Sequence, residues 1–173
     1  MPGPIFTTGD RIALRSIETE DAQWLAELFN DPRVWPRTGM VDPKSLEDER
    51  EWIESLSENN KIQFVVTVDE TRVGTVGFKP PNERWGVAEL AYTIDPEHWE
   101  NGYATEAAET ICAYGFETLR LNKIIAECFA SNDASANVLE KVGFTQEGRF
   151  RDEAYVDGEY IDILRYGLLV DEF

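Results

Sequence analysis

The sequence predicts a single mixed α/β domain built around one β-sheet, on the basis of three observations. The chain has 173 residues, a length that suits one domain with a substantial core. Segments with helical periodicity alternate with runs rich in β-branched residues. No internal repeat or low-complexity linker divides them. With 42% apolar and 12% aromatic residues, the chain can bury a packed interior, so we expect no extensive disorder.

In chain order, the pattern predicts a strand, two helices, three strands, a helix, a strand, a helix and two strands. The predicted strands are 11–16, 62–68, 73–78, 87–94, 123–130, 146–156 and 159–169, and the predicted helices are 19–29, 43–56, 104–119 and a short one from 132 or 133 to 143. Asp157-Gly158 predicts a tight hairpin between the last two strands. On the helix 104–119, the side chains of Glu106, Glu109 and Glu117 are expected to face water.

The charge of the chain is strongly acidic. Asp and Glu number 34 against 16 Lys and Arg, which gives a formal net charge of −18. Such a surface repels phosphates, so we expect no direct nucleic-acid binding. Two explanations of the acidity remain open: attraction of a cationic amine, or a halophilic source in which salt screens the self-repulsion. Because the acidic residues are spread along the whole chain, the halophilic explanation is favoured.

Other features of the composition point to a cytoplasmic protein. No apolar stretch approaches the roughly 18 to 20 residues that a membrane span requires, and the N-terminus does not have the pattern of a secretory signal. Cys112 and Cys128 are too few for a disulfide framework and are expected to be buried, reduced thiols. His98 is the sole histidine, so we predict no metal site. The sequence is compatible with a monomer or a homodimer.

The first segment with chemical content runs from 94 to 107, where a strand ends, a short loop follows and a helix begins. The backbone N–H groups of a helix N-terminus bind anions, and small residues such as Gly102 and Ala104 let phosphate oxygens approach them. By itself this pattern is also ordinary turn chemistry. The chain lacks a Walker lysine and the three-glycine dinucleotide fingerprint, which argues against nucleotide hydrolysis and hydride transfer.

The second segment runs from 132 to 144, and Asn132 alone would be interpreted as a helix N-cap. Together, however, the two segments resemble the GCN5-related N-acetyltransferase (GNAT) superfamily, most of all the branch of the ribosomal-protein N-terminal acetyltransferases RimJ and RimL. The resemblance extends from about 11 to 169. It is carried by Gly102-Tyr103-Ala104-Thr105-Glu106-Ala107, by Asn132-x-x-Ser135-x-x-Val138-Leu139-Glu140-Lys141-x-Gly143-Phe144, and by Glu147-Gly148, Arg151-Asp152, Asp157-Gly158 and Tyr160-x-Asp162.

The resemblance implies a mostly antiparallel sheet in which strands 87–94 and 123–130 run parallel and splay apart. The pantetheine arm of acetyl-CoA would lie in that gap and pair with the backbone near Tyr92 and Ile94, and Asn132 would bond to the pantetheine. The backbone N–H groups of Asn101, Gly102, Tyr103, Ala104 and Thr105 would hold the pyrophosphate.

The chain departs from the family pattern just before this loop. Many members have Gln or Arg where this chain has Trp99, and glycine where it has Glu100. Glu100 therefore places a negative charge near the expected pyrophosphate site, and we expect its side chain to point away from the phosphates.

Acetyl transfer requires a neutral amine, a stabilised oxyanion and a proton for the departing thiolate. Many members use a tyrosine as the proton donor, at the position of Leu139, which cannot serve. The Rim-type branch uses a serine, which Ser135 matches, although a first-turn helical role is equally compatible. Glu89 is the candidate general base; the alternative is a strand glutamate that faces solvent. The strand N–H near Tyr92 could polarise the thioester carbonyl.

The resemblance therefore implies an enzyme that moves the acetyl group of acetyl-CoA to a primary amine by direct attack in a ternary complex. The leading acceptor is a protein N-terminal α-amine, including that of a ribosomal protein. A small amine, such as a polyamine, an amino acid or an antibiotic, is the alternative. A noncatalytic acyl-CoA sensor is a third possibility. Trp35 lies in the segment between the first two helices, where acceptor loops of this fold occur.

Overall fold

The computed structural model describes residues 2–173, and they form one eight-stranded sheet with helices on its faces. Its strands are β1 (Ile5–Thr8), β2 (Ala13–Ser16), β3 (Ile62–Val68), β4 (Thr71–Phe78), β5 (Val87–Ile94), β6 (Lys123–Phe129), β7 (Thr145–Val156) and β8 (Glu159–Leu169). The helices are α1 (Ala22–Asn30), α2 (Trp35–Thr38), α3 (Leu46–Ser55), α4 (Tyr103–Glu117) and α5 (Asp133–Val142). Within residues 2–173, no helix is long and apolar enough to span a bilayer.

The sheet order is β1-β2-β3-β4-β5-β6-β8-β7, and every pair is antiparallel except β5 with β6. The parallel pairing joins only Val87–Glu89 to Lys123–Ile125. Beyond this register the two strands no longer pair, so the sheet opens between their carboxyl-terminal halves. This confirms the predicted α/β fold with its splayed parallel pair.

The core lies between this sheet and α4. Ala107, Ala108, Ile111 and Cys112 of α4 are fully buried against the strands. Removal of a side chain such as Ile111 from water contributes about 2 kcal/mol. Both cysteines are free and buried, as the sequence predicts. Burial raises the pKa of the Cys112 thiol to about 12, and the nearby Glu109 adds to the effect.

Several element boundaries differ from the sequence prediction. Strand β1 and helix α2 were not predicted, since each is only four residues long. Helix α3 begins at Leu46 instead of 43, because Ser45 caps it by accepting a hydrogen bond from the backbone N–H of Asp48. The backbone N–H groups of Arg11 and Ile12 donate to a side chain of α4 instead of joining the sheet, so β2 begins only at Ala13.

A buried ion pair connects the start of α1 to the sheet. Asp21 is fully buried, and its carboxylate accepts a hydrogen bond from Arg72 Nε on β4 at 2.7 Å. Its second oxygen accepts the backbone N–H of Glu18 at 2.8 Å. A buried carboxylate that loses its cation retains its desolvation penalty without compensation. This pair therefore stabilises the attachment of the α1–α3 layer to β4.

We expect Arg72→Met to lower the free energy of unfolding by about 2 kcal/mol, because it leaves the Asp21 carboxylate without its cation. Urea denaturation at neutral pH measures the change. Arg50→Met is the matched control, since Arg50 makes only an exposed ion pair with Glu47 at 3.6 Å and its loss is expected to change stability by less than about 0.5 kcal/mol. Equal effects of the two substitutions would contradict the structural role of the buried pair.

Candidate active site

The backbone of β5 presents polar groups to the gap beside β6. The carbonyl of Glu89 accepts the N–H of Lys79, and the N–H of Asp95 donates to the carbonyl of Val73, both at 2.9 Å and both toward β4. Because successive residues of a strand direct their N–H and C=O groups to opposite sides, those of Leu90, Tyr92 and Ile94 point into the gap. Pantetheine contacts are predicted at two of these residues, Tyr92 and Ile94, and Leu90 offers its backbone to the same gap.

One of these groups is already occupied. The indole Nε1 of Trp99 donates to the carbonyl of Ile94 at 2.7 Å, so Ile94 can offer only its N–H to a ligand. The guanidinium of Arg37, at the end of α2, stacks on the Trp99 ring with 4.9 Å to the ring centroid. Trp99, which departs from the family pattern, thus joins the end of β5 to the segment around α2.

The loop before α4 leaves its N–H groups open. Gly102 is the N-cap residue, has φ +80 and carries no side chain that could cap the helix. The first bond of the helix runs from the N–H of Glu106 to the carbonyl of Gly102 at 3.1 Å. The N–H groups of Tyr103, Ala104 and Thr105 therefore have no partner within the helix and form an anion site at its positive end.

Arg11 and Glu106 hold this loop in place. The Glu106 carboxylate accepts the backbone N–H of Arg11 at 2.6 Å, that of Ile12 at 3.2 Å, and Arg11 Nε at 2.9 Å. Burial alone would raise the pKa of Glu106, but these hydrogen bonds outweigh it, and its pKa is lowered. Arg11 Nη1 donates to the carbonyl of Asn101 at 2.9 Å, and the guanidinium stacks on Tyr103.

Two predictions for this loop are corrected or refined. The expectation that Glu106 faces water is wrong, because its side chain is only 12% exposed and binds Arg11. The Asn101 side chain folds back and donates to the carbonyls of His98 and Trp99, so its amide nitrogen is already engaged within the loop. Glu100 has φ +63, in the left-handed region that glycine adopts without strain.

The cradle fits a pyrophosphate. A Cβ atom added to Gly102 would lie 3.3 Å from Arg11 Nη2, in the space beside the open N–H groups, and the positive φ of this residue also disfavours a side chain. The guanidinium of Arg11 adds a positive charge at the same place, which is valuable in a chain of net charge −18. Glycine at this position therefore keeps the anion site accessible.

The start of α5 places Asn132 and Ser135 at the other side of the gap. The Asn132 side-chain oxygen accepts the N–H of Ser135 at 3.2 Å and caps the helix, so its amide nitrogen is the part that could reach a pantetheine carbonyl. The Ser135 hydroxyl lies 2.9 Å from the hydroxyl of Tyr92 on β5. Leu139 is buried in the core and has no group that could donate a proton.

Cys128 on β6 is adjacent to this hydroxyl pair. Burial raises the pKa of its thiol to about 11, although the neighbouring Ser135 hydroxyl offsets part of the effect. The thiol therefore stays protonated at neutral pH and is a weak nucleophile. The sequence predicts only that this thiol is buried and reduced, because the side chains that surround a cysteine depend on packing.

Glu89 lies on the opposite face of β5 from Tyr92. The β4–β5 register is regular from Leu90 to Ile94, and residues separated by an odd number of positions point to opposite faces. The Glu89 carboxylate is 24% exposed and forms an ion pair with Lys79 Nζ at 2.5 Å. Glu89 is therefore partly shielded and paired with a cation, and this pairing with Lys79 was not predicted from the sequence.

The segment around α2 forms a small cleft next to the gap. A cavity of about 250 Å³ is lined by Phe29, Asn30, Trp35 and residues 40–43, which include Asp42. The Trp35 ring is 42% exposed. A Cβ atom on Gly39 would lie 3.5 Å from the Phe129 ring, so the segment packs against the end of β6. Trp35, which the sequence analysis places where acceptor loops of this fold occur, is one of the walls of this cleft.

A larger, open depression lies beside residues 149–153 of β7. Among residues 2–173, no group of three or more His, Cys, Asp or Glu side chains is arranged to hold a metal ion. The chemistry-bearing groups instead converge on the gap between β5 and β6.

The profile of the family described as "Acetyltransferase (GNAT) domain" matches residues 11–145. The chain is 32% identical over 170 residues to the uncharacterized N-acetyltransferase p20 of Bacillus licheniformis, covering 95% of this chain and 96% of that protein. It is 30% identical over 172 residues to the putative ribosomal N-acetyltransferase YdaF of Bacillus subtilis, covering 95% and 94% of the two chains.

A solved structure of spermidine N-acetyltransferase from Vibrio cholerae, in complex with CoA and spermine, matches with a TM-score of 0.88 and 25% identity, covering 94% of this chain and 97% of that one. Similarity of this order to both a ribosomal-type and a spermidine enzyme defines the family but not the branch. Family profile, relatives and fold agree with the phosphate cradle and the splayed strands: the chain belongs to the GNAT family and is an N-acetyltransferase that uses acetyl-CoA as its co-substrate.

Proposed function

We propose that the enzyme acetylates a protein N-terminal α-amine by direct attack of the amine on acetyl-CoA. The observation that carries this proposal is the arrangement of groups at the gap. A carboxylate, Glu89, lies on one face of β5, and a hydroxyl, Ser135, lies on the other face through its contact with Tyr92. An acceptor that approaches from the Glu89 face and a thioester on the Ser135 face would meet between these two side chains.

The proposed contacts of acetyl-CoA follow from the open backbone groups. The N–H groups in Asn101–Thr105 bind the pyrophosphate, with Arg11 beside them. The pantetheine pairs with the backbone of Tyr92 and the N–H of Ile94, and the amide nitrogen of Asn132 donates to one of its carbonyls. The strand N–H near Tyr92 polarises the thioester carbonyl.

Glu89 and Ser135 have complementary proposed roles. Glu89 accepts a proton from the acceptor ammonium, directly or through one water molecule, and Ser135 Oγ donates a proton to the departing thiolate. In the structure Lys79 Nζ lies 2.5 Å from the Glu89 carboxylate, so a cationic acceptor would have to displace this lysine to reach Glu89.

The protonated state of Cys128 supports direct transfer. An acetyl-enzyme intermediate would need a thiolate nucleophile near the thioester. The pKa of Cys128, which lies closest to the hydroxyl pair, is raised by burial to about 11, so only a small fraction of this thiol is ionised at neutral pH. A ternary complex therefore fits the site better than a double displacement.

The similarity to YdaF supports a protein N-terminus as the acceptor. The second candidate is a polyamine, which the match to the Vibrio cholerae enzyme bound to spermine favours. The cleft beside α2 is compatible with either, since Trp35 and Phe29 provide apolar walls and Asp42 a negative charge. The N-terminal α-amine of a protein is the leading candidate for the acceptor, and a polyamine is the second.

Thiol release from acetyl-CoA distinguishes the two acceptors. The panel contains ribosomal proteins with unblocked N-termini, spermidine, free amino acids and an aminoglycoside antibiotic. We expect the highest kcat/KM with the ribosomal proteins, and a mass increase of one acetyl group on their N-terminal residue. A kcat/KM at least tenfold higher for spermidine would overturn the N-terminal proposal in favour of the second candidate.

The same panel tests the origin of the negative charge. We propose that the enzyme is halophilic, because its 34 acidic residues repel one another unless salt screens them. We also propose that it is cytoplasmic and acts as a monomer or homodimer. Activity that is low in dilute buffer and rises in molar potassium chloride would support the halophilic explanation. Full activity in dilute buffer combined with a preference for cationic amines would assign the acidity to substrate attraction.

A further inference from the structure

The hydroxyl of Tyr92 crosses from β5 to the first turn of α5. The hydroxyl lies 2.9 Å from Ser135 Oγ and 3.2 Å from the Ser135 backbone carbonyl, so its single proton has two acceptors within reach, of which Oγ is the nearer. The Tyr92 ring is half-buried and packs against the main core. The hydroxyl is therefore held next to Ser135 by a packed ring instead of by a mobile side chain.

The phenol of Tyr92 is strongly biased toward its protonated form. Burial raises the pKa of Tyr92 well above its usual value, and the hydrogen bond with Ser135 only partly opposes this shift. Nearby Cys128 and Tyr166 raise the pKa further. Because the phenol keeps its proton, it can donate a hydrogen bond to Ser135 throughout the neutral and mildly alkaline range.

A serine hydroxyl is a weak acid, so it needs help to donate a proton. When Ser135 gives its proton to a thiolate, negative charge develops on Oγ. A donor that already points at this oxygen stabilises the charge without reorganisation. The aliphatic, buried Leu139 cannot provide that donor, whereas the Tyr92 hydroxyl lies at hydrogen-bond distance.

We propose that Tyr92 is the positioning residue for Ser135: its hydroxyl donates to Ser135 Oγ, directs the serine proton toward the CoA sulfur and stabilises the charge left on Oγ. The O–H bond of Ser135 breaks as the S–H bond of CoA forms, and water then returns to Oγ the proton that the attacking nucleophile gave up. Tyr92 keeps its own proton throughout. This inference rests on the proposed role of Ser135 as proton donor.

The test is a double-mutant cycle with Tyr92→Phe, Ser135→Ala and the combined variant. Tyr92→Phe keeps the ring and removes the hydroxyl. We expect it to lower kcat about 30-fold and to leave the KM for acetyl-CoA within twofold, since a single preorganised donor is lost. In the Ser135→Ala background, we expect the same substitution to lower kcat less than about threefold, because Tyr92 acts through the serine.

Two readouts separate this role from a structural one and from the choice of acceptor. Tyr114→Phe is the matched control, since it removes a tyrosine hydroxyl from a ring that packs edge-on against Phe6; its kcat is expected to stay within twofold. The cycle is also measured on the slow hydrolysis of acetyl-CoA without any amine, which needs the same thiolate protonation. It therefore remains informative if the acceptor proposal fails.

Each result of the cycle decides a separate question. If Tyr92→Phe lowers kcat by the same factor in the wild type and in the Ser135→Ala variant, the positioning role is overturned. An effect on KM alone would overturn it as well. An unchanged kcat in Ser135→Ala would remove both the serine donor and the role of Tyr92, while leaving the N-terminal acceptor untouched. A large loss in Tyr92→Phe that disappears in the Ser135→Ala background would establish the inference.

Discussion

Replacement of Glu89 by glutamine is expected to lower kcat/KM about 10³-fold at pH 7, because it removes the proposed general base while keeping the shape of the side chain. The loss should shrink at pH 9. The amine must be neutral to attack, and at higher pH a larger fraction of it is neutral in solution, so the enzyme has less need to remove a proton. Initial rates of thiol release across this pH range measure both effects.

The size of the recovery at pH 9 depends on the acceptor. An N-terminal α-amine has an ordinary pKa of about 7.7 to 8.0, so it is mostly neutral at pH 9, whereas an alkylamine near 10.4 remains mostly protonated. With a protein N-terminus, we expect the Glu89→Gln defect to fall to about tenfold. With a polyamine, most of the defect should persist. The same variant therefore tests the base and the acceptor class.

Glu147→Gln is the matched control for this experiment. Glu147 lies on β7, pairs with Lys123 at 2.6 Å and is 35% exposed, so it resembles Glu89 in charge, partner and exposure. We expect its kcat/KM to stay within twofold of the wild type at both values of pH. A pH profile of Glu89→Gln that runs parallel to that of the wild type would remove Glu89 from the mechanism.

Replacement of Ala104 by aspartate is expected to weaken the binding of CoA without lowering the stability of the protein. Ala104 is the second residue of α4, and its N–H is one of those proposed to hold the pyrophosphate. A carboxylate there occupies the same N–H groups and repels phosphate. We expect the Kd of CoA, measured by isothermal titration calorimetry, to rise about 10³-fold, which corresponds to about 4 kcal/mol.

The unliganded variant should nevertheless be at least as stable as the wild type. A negative charge in the first turn of a helix is favourable by about 0.5 kcal/mol through the helix dipole. Ala154→Asp, on the β7–β8 hairpin, adds the same charge away from the loop and controls for the net charge of the protein. Equal weakening of CoA binding in both variants would assign the effect to overall repulsion instead of to the phosphate cradle.

The helix and strand pattern was largely predictable from the sequence because it depends on local periodicity. The β-branched run in β3, the alanine-rich face of α4 and the Asp157-Gly158 turn each produce their structure through nearby residues, and the predicted elements agree with those observed. Short elements such as β1 and α2 were not predictable, since four residues contain too little periodicity. Their formation depends on neighbours that are distant in the chain.

In the candidate site, too, features that depend on nearby residues were predictable and those that depend on distant residues were not. Gly102 and Ala104 mark an anion site because helix N-termini expose N–H groups whatever the rest of the fold. Glu106 was expected in water because helical periodicity assigns faces relative to a core. Helical periodicity cannot show that Arg11, some ninety positions earlier in the chain, covers this part of α4 and binds the Glu106 carboxylate.

By itself, the sequence determined the order of the longer elements, the loop before α4 and the motif at the start of α5, because each of these depends on residues that are close in the chain. Only the tertiary structure decided which groups meet across the gap. Tyr92 of β5 reaches Ser135 of α5 where the parallel pairing of β5 and β6 has ended, and Lys79 lies beside Glu89 because β4 and β5 pair antiparallel. Contacts of this kind arise from packing between distant segments, which no local pattern encodes.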